Sequence, residues 1–141
     1  SIKDISQTKT TQSYLKSYFN TVSSIVSSYD DSIEEITLII SAIENEDFSQ
    51  LPELTKKSIE YKSLSKRLKE IKIPIGVAGY HLAIINGLYG VGESFDYISE
   101  LEDNGINALA GVSIYKNYSL MIDQALIDMH DYFVGYGIIN Q

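Results

Sequence analysis

The chain has no cysteine and no tryptophan among its 141 residues, only two prolines, and eleven basic side chains against nineteen acidic ones. Without cysteine there is no disulfide framework, no thiolate zinc site and no cysteine nucleophile. This leaves the compartment open, because exported proteins also occur without cysteine. A formal net charge of −8 disfavours nucleic acid as the main partner, since phosphates need a positive footprint. No G-x-S-x-G, H-E-x-x-H or dinucleotide fingerprint is present. The chain therefore reads as non-enzymatic and needing no cofactor. Neither glycine nor proline interrupts residues 1–51, where only Asn45–Gln50 reads as a polar turn. A charged segment followed by an apolar run, the mark of a secretory signal, does not open the chain.

What is present is one domain's worth of sequence, 1–141, large enough to bury a core without staples. Its charge is uneven. Residues 1–55 carry three basic and nine acidic side chains, residues 56–72 seven basic and two acidic, and residues 73–141 Lys116 against eight acids. A basic segment between acidic ones reads as a helix that pairs with its neighbours.

Apolar residues recur with alternating spacings of four and three at Leu15, Phe19, Val22, Val26, Tyr29, Ile33, Ile36, Ile40 and Ile43. This predicts one long helix from about Thr8 to Glu44, about 55 Å at 1.5 Å per residue. The competing reading breaks it at Asp30-Asp31-Ser32, where Ser32 and Glu35 fit a capping box. Pro52 suits the first turn of a second helix. That helix carries Leu54, Tyr61, Leu64, Leu68 and Ile71 and ends at Ile73-Pro74. The third runs from about Ile75 to Leu101 on Val77, His81, Ile84, Leu88, Val91, Phe95 and Ile98. Beside that seam lies a small-residue stripe of Gly79, Ala83, Gly87, Gly90 and Ser94, which predicts close approach of a neighbour. Asp103-Asn104-Gly105 marks a turn. The fourth helix runs from about Ile106 to Tyr132, with Ala108, Gly111, Tyr115, Tyr118, Ile122, Ala125, Met129 and Tyr132 inward, and ends at Gly135 and Gly137. The expectation is an all-α, antiparallel up-down four-helix bundle with a long first helix, or five helices if it breaks near Asp30–Ser32. The Ser- and Thr-rich start is expected to project as a tether toward anything upstream, a membrane anchor outside these residues included.

Twenty residues without charge, Ile73–Gly92, match a membrane span in length. Their mean hydropathy is weak for one, and Pro74, His81 and Asn86 are costly in hydrocarbon. The apolar seam also continues past Glu93. The stretch therefore reads as the central core helix. Gly87, Gly90, Gly92, Glu93 and Ser94 come close to a phosphate loop, but Glu93 stands where the lysine must be and no strand precedes it.

His81 and His130 are the only histidines and are expected at similar heights on antiparallel helices. With Asp131, and with Asp128 nearby, they are the candidate metal set. The structural reading prevails for His81: a core histidine bonded to a carbonyl or hydroxyl, fixing the Pro74 corner against the fourth helix. Eleven tyrosines favour buried rings with wet hydroxyls. Tyr80, Tyr89, Tyr97, Tyr118 and Tyr136 are candidates for a contact surface.

Tyr61, Leu64, Leu68, Ile73-Pro74, His81, Asn86, Asp103, Ala108-Leu109, Gly111, Tyr115, Tyr132-Phe133 and Gly137-Ile138 form a pattern over residues 50–138. It resembles an uncharacterised group of predicted exported helical proteins from small-genome candidate-phylum bacteria. That group has proline after the aspartate of the turn, where this chain has Asn104. The resemblance implies an extracytoplasmic setting near envelope or pilus-like machinery. The function expected is a scaffold or protein-binding module with a protein partner. The alternative is a bundle that binds a small ligand or metal between its last two helices near His81.

Overall fold

The structure, a computed structural model, describes residues 2–27 and 32–139, and side chains at 12–27 and 34–139. Five helices pack together, with no strand among the described residues: α1 (Ile2–Ser27), α2 (Ser32–Glu44), α3 (Leu51–Lys69), α4 (Ala78–Ile98) and α5 (Gly105–Gly135). Whether helix continues across 28–31, where the unbroken reading put Tyr29 on its seam, lies outside the described residues.

Local chemistry explains most boundaries. Asp47 accepts from the Ser49 amide at 3.1 Å and caps a 3₁₀ turn at Phe48–Gln50. Pro52 then occupies the first turn of α3, where its missing N–H leaves no bond unmade. That helix stops at Lys69, four residues before the expected Ile73. The buried Pro74 instead leads into a 3₁₀ turn at Ile75–Val77, so α4 starts at Ala78. The Asn104 side chain accepts from the Asn107 amide at 3.1 Å and starts α5. Gly137, with φ of +71°, ends α5 by letting the Ile138 amide reach back to the Phe133 carbonyl at 3.0 Å.

The centre of the fold is α4, packed along both α3 and α5. All seven seam residues from Val77 to Ile98 are buried. On the α5 side, a Cβ on Gly87 would run into the Ile122 side chain, and one on Gly90 into the Tyr118 ring. From the opposite helix, a Cβ on Gly111 would lie 2.9 Å from the Ser94 carbonyl. As α4 numbers rise through these pairs, α5 numbers fall, so the two helices are antiparallel. The α3 side meets Gly92, whose missing Cβ leaves room for Lys62 and the Ser58 carbonyl. Gly79 does not belong to this contact. It is exposed and a Cβ there would meet nothing within 4 Å.

Against the face of this three-helix layer lie α1 and α2. In α1 the deepest residues are Leu15, Tyr18, Val22 and Ile25, so the seam leans toward Tyr18 and Ile25 and away from Phe19 and Val26. In α2 the expected seam fails. Ile36 and Ile40 are 46% and 48% exposed, while Glu35, Ile39 and Ala42 are buried. The inward face is turned by one residue, about 100° of helix. A single heptad register assumes one straight helix, and these two elements present faces out of phase with it.

The helix Ile75–Ile98 is long and apolar enough to cross a membrane by length and composition, and half of its most apolar window is buried against the other helices.

The glycine contacts generate a paired expectation. Gly90→Leu should destabilise by about 1–3 kcal/mol, because even its Cβ would run into the Tyr118 ring and must displace it. Gly79→Ala should stabilise by up to about 1 kcal/mol through the unfolded chain. Urea titrations of both variants check this. Parental stability in Gly90→Leu would contradict the close approach of α4 and α5.

Candidate binding cleft

While α5 is drawn onto α4, it stands apart from α1 over most of its length. Between them opens a cleft of about 740 Å³. Its floor is Tyr61 and Leu64 of α3 with Leu88 and Val91 of α4. One wall is Phe19, Val22 and Val26 of α1. The other is α5 from Tyr115 through Ile122 and Leu126 to His130. At the His130 end the walls meet, where the Phe19 and Phe133 rings lie 5.1 Å apart, edge to face. At the far end α2 closes the gap with Glu35.

Glu35 is 1% exposed. Its Oε1 accepts from the Tyr61 hydroxyl at 2.6 Å and its Oε2 from the Tyr115 hydroxyl at 3.3 Å. Phe95 lies against both rings, at 5.5 Å from each, and so aims the two hydroxyls at one carboxylate. Burial, then the charge of Glu35, pushes the Tyr115 hydroxyl up to about 12, so it remains a donor. A buried carboxylate is costly unless hydrogen-bonded, and these bonds couple α2 to α3 and α5. Sequence reading gave Glu35 only a capping role. Nothing in the sequence distinguishes Glu35 from Glu34 beside it, since both fit the first turn of α2.

A second polar cluster pins α1 near the start of α4. His81 is 1% exposed. Its Nε2–H donates to the Leu68 carbonyl at 2.8 Å, and its Nδ1 accepts from the Tyr18 hydroxyl at 2.5 Å. That assignment is the neutral tautomer with both ring nitrogens engaged, and burial holds the ring below its ordinary value of 6.5. Burial likewise pushes the Tyr18 hydroxyl up. The partners are a carbonyl and a hydroxyl, as expected, but the elements joined differ: His81 ties α1 to the end of α3. The Pro74 corner meets α5 elsewhere, where Gly76 makes room for the Tyr132 hydroxyl.

The remaining candidates disperse. His130 is exposed on the cleft rim, 3.6 Å from exposed Asp131, and does not share a site with His81. Among the described residues no three His, Asp or Glu side chains gather as a metal set. Tyr118 is half-buried against Gly90. Exposed Tyr89 lies under the Lys62 and Lys69 ammonium groups at 5.5 and 6.0 Å. Tyr89 and Tyr118 line a smaller hollow of about 330 Å³ with Asn86. Tyr97 is exposed separately, half-buried Tyr80 lies toward Tyr132, and Tyr136 stacks on Tyr132 at 4.7 Å. The tyrosines therefore face several directions. Of the basic segment, Lys62 pairs with Asp96 at 2.6 Å, both partly exposed, so the pair orients α3 on α4 more than it stabilises it. Comparison with family models, curated proteins and solved structures gives no match.

His81→Leu would leave the buried Tyr18 hydroxyl without its partner, at about 1–3 kcal/mol, while the Leu68 carbonyl keeps the Ile71 amide at 3.3 Å. His81→Gln should recover part of this. The linkage has a definite sign. Because the folded value is lowered, the unfolded chain takes up the proton first on acidification. The histidine's contribution is complete above 6.5 and is lost as pH falls through the folded value. Urea midpoints at about pH 7.5 and about pH 5.5 should separate more in the parent than in His81→Gln. Equal separation would remove His81 from the pH response.

Proposed function

We propose that this domain is a non-enzymatic binding module whose ligand site is the cleft between α1 and α5. The observation that carries the reading is the cleft itself: a hollow of about 740 Å³ with an apolar floor, walls that mix Phe19, Val22, Ile122 and Leu126 with Ser23, Lys116, Ser119 and Asp123, and the buried Glu35 cluster at its end. Ligand sites are typically concave, mostly apolar and supplied with a few convergent polar groups. This keeps the ligand-binding alternative raised by the sequence but moves the site from His81 to Glu35 and Tyr115. On this reading α1 and α2 together take the place of one long helix in an up-down bundle.

A protein partner is the second reading. It is favoured by Ile36 and Ile40 on α2 and by Leu120 and Ile127 on α5, all about half exposed, with Ile36 and Leu120 on the cleft itself. Apolar groups rimming a groove are a mark of docking surfaces. The extracytoplasmic setting and the scaffold role rest on the resemblance of residues 50–138 alone.

A neutral fluorescent probe, N-phenylnaphthylamine, should bind saturably with enhanced emission. Ser23→Trp, placed on the α1 wall, should fill the cleft and abolish that signal while the thermal transition stays cooperative. Undiminished probe binding in a folded Ser23→Trp protein would sink the assignment of this cleft.

A further inference from the structure

We infer that the turn between α3 and α4, the Pro74 corner, docks on an anionic lipid surface, with Ile75 entering the bilayer interface and Lys66, Arg67, Lys69 and Lys72 meeting the head groups. None of these residues lines the cleft, so the inference is independent of what the cleft binds. Three observations support it.

The first is charge that the fold does not use. The basic segment reads in sequence as a helix that pairs with acidic neighbours. The structure pairs Lys62 with Asp96 and leaves Lys66, Arg67, Lys69 and Lys72 exposed. Among the described residues, none of these four is in an ion pair. Lys62, Lys66 and Lys69 recur at spacings of four and three and so line one stripe of α3. Between residues 66 and 77 the one acid is Glu70.

The second is the division of charge between the two ends. The Ser58 carbonyl lies at Gly92 and the Ser65 hydroxyl donates to the Ile85 carbonyl, so α3 and α4 run antiparallel. The turns at the far end carry Glu44, Glu46, Asp47, Glu100, Glu102 and Asp103. The 19 residues of α3 set the ends about 28 Å apart, well beyond the screening length of about 8–10 Å. On α5 the acids level with the corner are Asp128, bonded to Gln124, and Asp131, beside His130, so the positive side of the corner is that of α3. A chain of net charge −8 thus has one end drawn to an anionic surface and one repelled, which orients it.

The third is the apolar tip. Pro74 and Val77 are buried and anchor the turn, and Ile75 between them is thrown outward, 95% exposed. Leu82, one turn into α4, is 52% exposed. Tyr132 fills the space at Gly76 and stacks on exposed Tyr136, and Tyr89 lies under Lys62 and Lys69. Apolar side chains beside cations and tyrosines match the head-group layer of a bilayer. A soluble polyanion would meet the lysines and leave Ile75 in water.

The test floats the full chain with vesicles of phosphatidylglycerol and phosphatidylcholine in equal parts, and with vesicles of phosphatidylcholine alone. The parent should float with the anionic vesicles, be released as salt rises, and stay in solution with the neutral ones. Lys69→Glu/Lys72→Glu should lower the partition about a hundredfold, since it changes the charge near the surface by about four units. Ile75→Ser should lower it about tenfold, the scale of burying one such side chain. Lys56→Glu/Lys116→Glu alters the net charge equally but away from the corner, and should float as the parent does. All five positions are exposed, and a cooperative thermal melt in each variant separates lost docking from lost folding. Equal flotation with both vesicles, none with the anionic ones, or parental flotation of Lys69→Glu/Lys72→Glu overturns the proposal. Undiminished flotation of Ile75→Ser overturns the insertion of the tip. Salt-sensitive retention on polyglutamate without flotation moves the surface to an acidic protein. Self-association by sedimentation velocity, lost in Lys69→Glu/Lys72→Glu, moves it to the acidic end of a second copy. Either result overturns the lipid assignment.

Discussion

The backbone approach of α4 and α5 is the constraint on which the rest of this fold depends. Gly87 and Gly90 on one helix and Gly111 on the other remove the Cβ atoms that would hold the axes apart. Ile122 and Tyr118 fill the space so released. Each helical glycine costs about 1 kcal/mol of propensity relative to alanine, and tight packing along α4 offsets it. Once α5 is committed to α4, it cannot also lie close to α1 along its length. The cleft is the geometric remainder of that commitment, and its floor is the face of α4 that the glycines do not occupy.

Two buried polar clusters then fix how α1 and α2 lie on the three-helix layer. His81 joins Tyr18 of α1 to the Leu68 carbonyl of α3, and Glu35 of α2 joins Tyr61 of α3 to Tyr115 of α5. Apolar contacts alone tolerate sliding and rotation, whereas a buried hydrogen-bonded group is satisfied in few arrangements. The turned face of α2 follows from this. Orienting Glu35 inward places Ile39 and Ala42 beside it and sends Ile36 and Ile40 toward solvent. Phe95, packed between the two tyrosine rings, makes the Glu35 cluster continuous with the apolar core.

The same cluster gives the cleft its chemical character. Without Glu35 and Tyr115 it would be a greasy groove with no preference for one end of a ligand over the other. With them, one end carries a buried, hydrogen-bonded carboxylate cluster against the apolar floor of Leu64, Leu88 and Val91. The residues that looked chemical in isolation do less. His81 has both nitrogens occupied by structural partners, and His130 sits on an exposed rim.

Periodicity alone determined that the chain is helical, where α3, α4 and α5 lie within a few residues, and which face of α4 is buried. It could do so because α4 is packed on both sides by sequence neighbours through short turns, so its seven-residue seam records contacts that are nearly local. The stripe at Gly87 and Gly90 announced a close approach for the same reason: glycine in a helix interior carries its cost visibly. The sequence could not show that Gly79 stands outside that contact, since which residues of a stripe meet a neighbouring helix depends on how the two helices lie in space. Nor could it place Glu35. A carboxylate at a helix start has an adequate local explanation as a cap, and the tyrosines that receive it lie 26 and 80 residues away. The rotated face of α2, the pairing of Tyr18 with His81 and the cleft between α1 and α5 are likewise products of tertiary structure. Each depends on the relative placement of helices distant in the chain, and spacing within one helix carries no information about the phase of another.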